Sequence, residues 1–265
     1  MPHAFFSLLY PDDCRVCAAP LVRFSRAPVC DGCLQELTPL APRAQCIQCG
    51  LPFENERPLH ESGLCGLCRR GVTEFDWGRC FAAYEGALRR FIHLLKYDGL
   101  EPLARPLAER LAPLLGQAGP VDLLVPVPLH RSRRRARGFN QSELLAAEIS
   151  RLSGKPMVAA LLRRTRPTET QTGLTHRQRR LNVQGAFIVA RTEAVRGKHI
   201  ALIDDVITTG ATAGACARVL KRAGAARVVV LALARARLGI IPIASEPAPP
   251  PAQPPSRIRR AACGA

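Results

Sequence analysis

"IALIDDVITTGATAGACARVL", residues 200–220, sets two carboxylates beside two threonines and a glycine, directly after an apolar run. The apolar residues before Asp204 read as a buried strand, and a helix is expected from about Gly210 to Ala223. A helix start of this kind offers unpaired backbone N–H groups and a positive dipole end, which suit a phosphate. The dipole contributes only about 0.3–1 kcal/mol, so hydrogen bonds must carry most of the affinity. The carboxylates would repel a phosphate. They suit hydroxyl groups instead, at roughly 1.5–3 kcal/mol for each charge-assisted bond. A ribose 5-phosphate unit combines a vicinal diol with a nearby phosphate, and the stretch reads as a site for one.

The flanking sequence gives this stretch a sheet to belong to. "ALRRFIHLLKYDG" repeats apolar residues at Leu88, Phe91, Ile92 and Leu95, one face of a helix ending near Gly99. "VDLLVPVPL" is a short buried strand, and "NQSELLAAEISRL" a helix with a cap at Asn140. Further strands are expected at "MVAALL", "GAFIVA", "HIALID" and "ARVVVLALA". Apolar strands alternating with helices predict an α/β fold, a largely parallel sheet covered on both faces. A ligand then belongs at the carboxyl ends of its strands.

The chain has 265 residues and a formal net charge of +17, with 47% hydrophobic residues, enough for a proper core. The charge favours polyanionic partners and says nothing of the fold. Between Val121 and Asn182 there are 13 Lys and Arg against 4 Asp and Glu. His130, Arg131, Arg133, Arg134, Arg135 and Arg137 follow the strand at 122–127 as candidate phosphate contacts. With one Trp and three Tyr, any stacking platform for single-stranded DNA would have to use Phe, such as Phe139 or Phe187. No apolar stretch reaches the roughly 20 residues of a membrane span. "HAFFSLLYP" has no signal-peptide pattern, so the expected location is the cytoplasm, free or peripheral at the inner face of the membrane.

Residues 1–75 hold eight of the eleven cysteines. Cys14 and Cys17, Cys30 and Cys33, Cys46 and Cys49, and Cys65 and Cys68 form four Cys-x-x-Cys knuckles. Two knuckles close one tetrahedral thiolate site, so sequential pairing predicts two structural zinc ribbons. The alternatives are disulfides or redox pairs. A chain without a signal peptide disfavours the former, and four redox pairs would be odd in so small a unit. Cys80 and Cys216 read as packed residues. The expected organisation is a double zinc ribbon over 1–75, an α/β domain over 76–237, and a disordered Pro-rich basic tail over 238–265.

"IALIDDVITTGAT" resembles the phosphoribosyl pyrophosphate (PRPP) motif of type I phosphoribosyltransferases. The resemblance implies that Asp204 and Asp205 take the ribose hydroxyls while Thr208, Thr209, Gly210, Ala211 and Thr212 wrap the 5′-phosphate. Mg²⁺ would accompany PRPP, and Arg131, Arg135 and Arg137 sit where a loop contacts pyrophosphate in that family. "RRTRPTETQTGLTHRQRRLNVQGAF" resembles its mobile hood. Purine-salvage members carry an acid at the position of Thr208, so this chain looks more like the orotate type. With the cysteine zone ahead of it, and "LLKYDG", "PVPLHRSRRRARGFNQSELLA" and "TQTGLTHRQRRLNV" in this order, the chain resembles the ComF family of competence proteins over residues 8–237. That resemblance implies PRPP binding, a supporting role in natural transformation on single-stranded DNA, and DNA-uptake or helicase proteins as partners. A possible phosphoribosyltransferase of unknown acceptor is one reading, and no residue stands out as its general base. A non-catalytic DNA- and protein-binding module on the same fold is the other.

Overall fold

The computed structural model describes residues 13–21, 26–41, 44–53, 61–71, 73–167 and 176–236. In chain order these form α1 (Asp31–Gln35), α2 (Gly66–Arg69), β1 (Trp77–Ala83), α3 (Gly86–Tyr97), a 3₁₀ turn (Glu101–Leu103), α4 (Ala104–Leu111), α5 (Pro113–Gln117) and β2 (Leu123–Pro126). There follow α6 (Arg131–Arg137), α7 (Gln141–Ser153), β3 (Leu162–Arg164), α8 (His176–Val183), β4 (Phe187–Val189), β5 (His199–Ile207), α9 (Ala211–Arg222) and β6 (Arg227–Arg235). The expected tail lies outside the described residues.

Four strands make one parallel sheet in the order β1-β6-β5-β2. Side chains alternate across it as the pleat requires. Ala201, Ile203, Val229, Leu231 and Leu233 face α3, α4 and α7, whose Phe91, Ile92, Leu107, Leu145 and Ile149 are fully buried there. Ile200, Leu202, Val228, Val230 and Ala232 face the other way, into a core with Cys216, Ala217 and Leu220 of α9. The α/β class and the two-sided covering are therefore those expected from the apolar strand runs. Asn140 caps α7: its Oδ1 accepts from Ser142 N at 3.1 Å, while its Nδ2 donates to Val127 O at 3.1 Å and ties the cap to the end of β2.

Three elements differ from expectation. Of "MVAALL", Met157 makes a single parallel bridge with Leu124, and only Leu162 enters a strand, β3. The chain then turns away, and β3 pairs antiparallel with β4 outside the main sheet. Arg163 and Ile188 are solvent-facing while Leu162 and Phe187 are buried, so this is a half-covered pair. Wholly buried parallel strands would not tolerate "LRR". Second, β1 is a strand although Gly78 and Arg79 break its apolar run, because it is an edge strand with one neighbour. Third, the arginine-rich stretch is a helix, α6, where a loop was expected. Arg and Ala are good helix formers, His130 caps it by accepting from Ser132 N at 3.3 Å, and Gly138 ends it at φ 88°.

The cysteine-rich segment packs onto this sheet. Cys14, Val29, Cys33 and Leu37 join the core face that holds Phe81 and Leu88, whereas Cys46, Cys49, Cys65, Cys68 and Phe75 join the opposite one. The segment thus straddles β1, and its backbone meets the outer edge of that strand: Gly78 N donates to Gln48 O at 2.7 Å, and Leu40 N donates to Phe81 O.

Candidate functional site

Asp204 and Asp205 stand near the carboxyl end of β5, Asp204 in register with Ala232 of β6. They are 8% and 4% exposed. As successive strand residues they point to opposite faces, and their surroundings differ accordingly. Asp205 Oδ2 is in contact with the Lys96 ammonium from the last turn of α3, and its Oδ1 accepts from Gln141 Nε2 at 3.1 Å. Asp204 Oδ1 accepts from Ser142 Oγ at 3.1 Å and from Asp205 N at 2.9 Å. Burial, with repulsion from Asp205, pushes the Asp204 carboxyl up to about 8. Burial works against the Asp205 charge too, but the Lys96 ammonium outweighs it and holds that carboxyl below its ordinary value. Lys96 stays charged despite its burial because Asp205 faces it. Asp205 is thus favoured as a paired carboxylate, while Asp204 beside it is biased toward its protonated form.

A small recess opens beside Asp204, walled by Val206, Ile207, Thr208 and residues 210–213. Thr208, Gly210, Ala211 and Thr212 therefore share one small space with Asp204. Thr209 is fully buried, and its Oγ1 accepts from Ala211 N at 3.3 Å, closing the start of α9 from inside. Gly210 has φ +80°, and a Cβ there would lie 2.9 Å from Thr73 Cγ2, so conformation and space both call for glycine.

Arg137 reaches Asp205 through Gln141. It bonds Gln141 Oε1, and its guanidinium lies 5.4 Å from the Tyr97 ring centroid. Arg131 and Arg135 are exposed on α6, and Arg134 pairs with Glu143 at 3.0 Å. Much of the hood-like stretch, residues 168–175, lies outside the described residues. Phe139 and Phe187 are buried and offer no open ring face, which corrects their expected use as a stacking platform. Tyr97, next to Lys96 in the chain, is 61% exposed.

Sequence reasoning missed Lys96, Gln141 and Ser142. Lys96 sits beside Leu95 at the end of an otherwise apolar helix face, and Gln141 and Ser142 directly follow a helix cap. A polar residue at the ligand-facing end of a buried helix was the available signal.

The eight N-terminal cysteines form two groups of four, Cys14, Cys17, Cys30 and Cys33, then Cys46, Cys49, Cys65 and Cys68. This is the sequential grouping. Sulfur–sulfur separations are 3.9 Å for Cys14–Cys33, 3.7 Å for Cys17–Cys30, and 3.6 Å for both Cys46–Cys68 and Cys49–Cys65. Four thiolates at about 2.3 Å from a tetrahedral zinc lie about 3.8 Å apart, whereas a disulfide needs about 2.05 Å. Amides point at the sulfurs, Cys30 N to Cys14 Sγ and Cys65 N to Cys46 Sγ, both at 3.3 Å. The second group also has a counterion. Arg235, 2% exposed, approaches Cys49 Sγ at 3.6 Å, and among the described residues no carboxylate pairs with it. The two sites fit zinc. Cys80 and Cys216 are buried, and burial raises both thiols, Cys80 to about 11.

Elemental analysis of the purified chain should find two zinc per molecule, and a value well under two would remove the double ribbon. The acid pair also has a pH signature. Because the folded value of Asp204 lies above the ordinary one, the folded chain holds an extra proton from the ordinary carboxylate range up to about pH 8. Its contribution to stability is therefore lost as pH rises through that window. Asp204→Asn fixes the neutral state, so its urea midpoint should fall less between pH 6 and 9 than that of the wild type. Parallel curves would show that Asp204 is ionised throughout.

Residues 5–69 match the family described as the double zinc ribbon domain. The chain is 34% identical over 235 residues to the "DNA utilization protein YhgH" of Escherichia coli strain K12, covering 86% of this chain and 99% of that protein. It is 29% identical over 215 residues to "Competence protein F" of Haemophilus influenzae, covering 78% and 90% respectively. "Competence protein ComFC" of Bacillus subtilis is 26% identical over 209 residues, covering 76% and 81%. Among solved structures, the glutamine PRPP amidotransferase of B. subtilis, complexed with ADP and GMP, aligns with 48% of this chain and 26% of its own, at 22% identity and a TM-score of 0.33. No chemistry is transferred from that last likeness. On the 34% identity to YhgH over 86% of the chain, together with the match to competence proteins, the chain belongs to the ComF family.

Proposed function

We propose that the recess at the end of β5 binds the phosphoribosyl group of Mg²⁺–PRPP, and that the protein supports natural transformation by handling incoming single-stranded DNA on the cytoplasmic side. The observation that carries the first part is the recess itself. The Asp204 carboxyl and residues Thr208, Gly210, Ala211 and Thr212 of the turn open into one small space. A carboxyl for a ribose hydroxyl and a helix start for a phosphate, side by side on one recess, are what support the reading. Asp205 does not line the recess; held by Lys96 and Gln141, it supports Asp204 and supplies a fixed negative charge at the same strand end. Mg²⁺, bound with PRPP, would neutralise the diphosphate, with Arg137 beside the acids and Arg131 and Arg135 on the adjoining helix as further cations. Any transfer would proceed by preorganised charge around the leaving group; none of the residues here is assigned as a general base.

The second part rests on the relatives, which carry the names DNA utilization protein and competence protein. DNA-uptake or helicase proteins are the partners this role calls for. The alternative, a DNA- and protein-binding module that never turns over, is favoured by the exposed cationic face of α6.

Titration of Mg²⁺–PRPP by calorimetry tests the site. Wild type should bind, and Asp204→Asn with Asp205→Asn should weaken binding by roughly tenfold or more, about the lower end for one hydrogen bond to a charged group. The single Asp204→Asn variant leaves Lys96 its partner and guards against misfolding. A folded, zinc-loaded wild type that gives no heat overturns the PRPP reading. For DNA, affinity for a single strand should fall linearly with log salt, at a slope of about −0.7 per phosphate contacted. Weak binding even at low salt would remove the DNA role.

A further inference from the structure

We infer that Thr73 is a positioning residue that couples the second four-cysteine centre to the phosphate loop, so that metal held by Cys46, Cys49, Cys65 and Cys68 orders the turn at Gly210. The significance of that turn rests on the PRPP reading above; the coupling itself rests on geometry.

Thr73 lies between Cys68 and β1, is buried, and has a different partner for each branch of its side chain. Its hydroxyl contacts Cys68 Sγ at 2.9 Å. A metal-bound thiolate accepts from such a donor as a charge-assisted bond. Its methyl lies against Gly210, 2.9 Å from where a Cβ would stand. One short side chain thus spans from a metal ligand to the left-handed residue that starts α9.

The backbone around Thr73 is held by the same centre. Gln48, between Cys46 and Cys49, donates from Nε2 to Thr73 O at 2.9 Å and to Phe75 O at 2.7 Å. The Phe75 ring is fully buried and lies 3.6 Å from the Cβ position of Gly210. A second connection runs through β6. Arg235, in register with Ile207 just ahead of the turn, reaches Cys49. A thiolate centre is the counterion that keeps this buried guanidinium in place. Cys14 and Cys33 of the other centre pack in the core on the opposite side of the sheet. The two zinc sites are therefore not interchangeable: one braces the edge of the sheet, and the other forms the floor beneath the phosphate loop.

Linkage makes the coupling reciprocal, since whatever orders the turn must favour the metal and the converse. The test uses hydrogen exchange on the full chain with zinc bound and no other ligand. Thr73→Ser removes only the methyl on Gly210. Thr73→Val keeps the shape and removes only the hydroxyl on Cys68. Each should speed exchange of the amides at 208–213 by roughly fivefold or more, the lower end of ordinary coupling between sites. Exchange over 199–203 of β5 should stay unchanged, with zinc at two per chain. If the turn exchanges at the wild-type rate in either variant, the inference is overturned. Acceleration over the whole sheet also overturns it, because Thr73 would then be a general packing residue. Failure of wild type to bind Mg²⁺–PRPP would sink the proposed function and leave this result standing, since the exchange is measured without PRPP.

Discussion

Two adjacent carboxyls at the end of a buried strand cannot both carry full charge in a site that excludes water, and the surrounding structure is arranged around that constraint. Lys96 is brought in from α3 to neutralise Asp205. Asp204 makes no direct ion pair among the described residues, and burial and its neighbour bias it toward the protonated form. Gln141 and Ser142, one on each acid, fix the start of α7 against β5. Three segments distant in sequence are thereby registered to one another at the place where a ligand would enter. The split also gives the pair a division of labour that two identical carboxylates would lack: a permanent anion that anchors, and a neighbour able to donate or accept.

The cysteine centres belong to the same framework. Each group contributes core to one face of the sheet, and backbone from the segment meets the outer side of β1. An open strand edge is a liability for association, and covering it is a common remedy. Here the cover is a pair of small units with little core of their own, held by thiolate geometry. Metal binding in such units supplies folding energy outright, so the integrity of the sheet edge follows from the state of the sulfurs.

How much was readable in advance follows from which signals are local. The β5 run, the turn and α9 were legible because an apolar strand, paired acids and a Thr-Gly turn are consecutive. Leu88, Phe91, Ile92 and Leu95 were legible because a helical stripe has a fixed period. The cysteine grouping followed from spacing alone. Lys96 was not legible as a partner of Asp205, because their pairing depends on where α3 ends over the sheet. The arginine stretch was expected as a loop by position, although its composition favours a helix. Phe139 and Phe187 were misjudged because aromatic count says nothing of exposure. The short β3–β4 pair was invisible for a related reason: three residues with two arginines carry no strand period.

The strand order has one more consequence. β1, the first strand of the sheet, pairs with β6, the last; Asp76 and Val228, which bond beside this pairing, are 152 residues apart. At ribosomal rates of about 5–20 residues per second, roughly 8–30 s separate the synthesis of the two. During that interval the nascent chain holds its cysteine knuckles and an unpaired edge with nothing to close against. Early metal capture would keep the leading segment compact while the rest emerges, and the sheet would close only on release of its final strand. Closure of this sheet thus lags well behind the synthesis of its first strand, a delay set by topology rather than by any single contact.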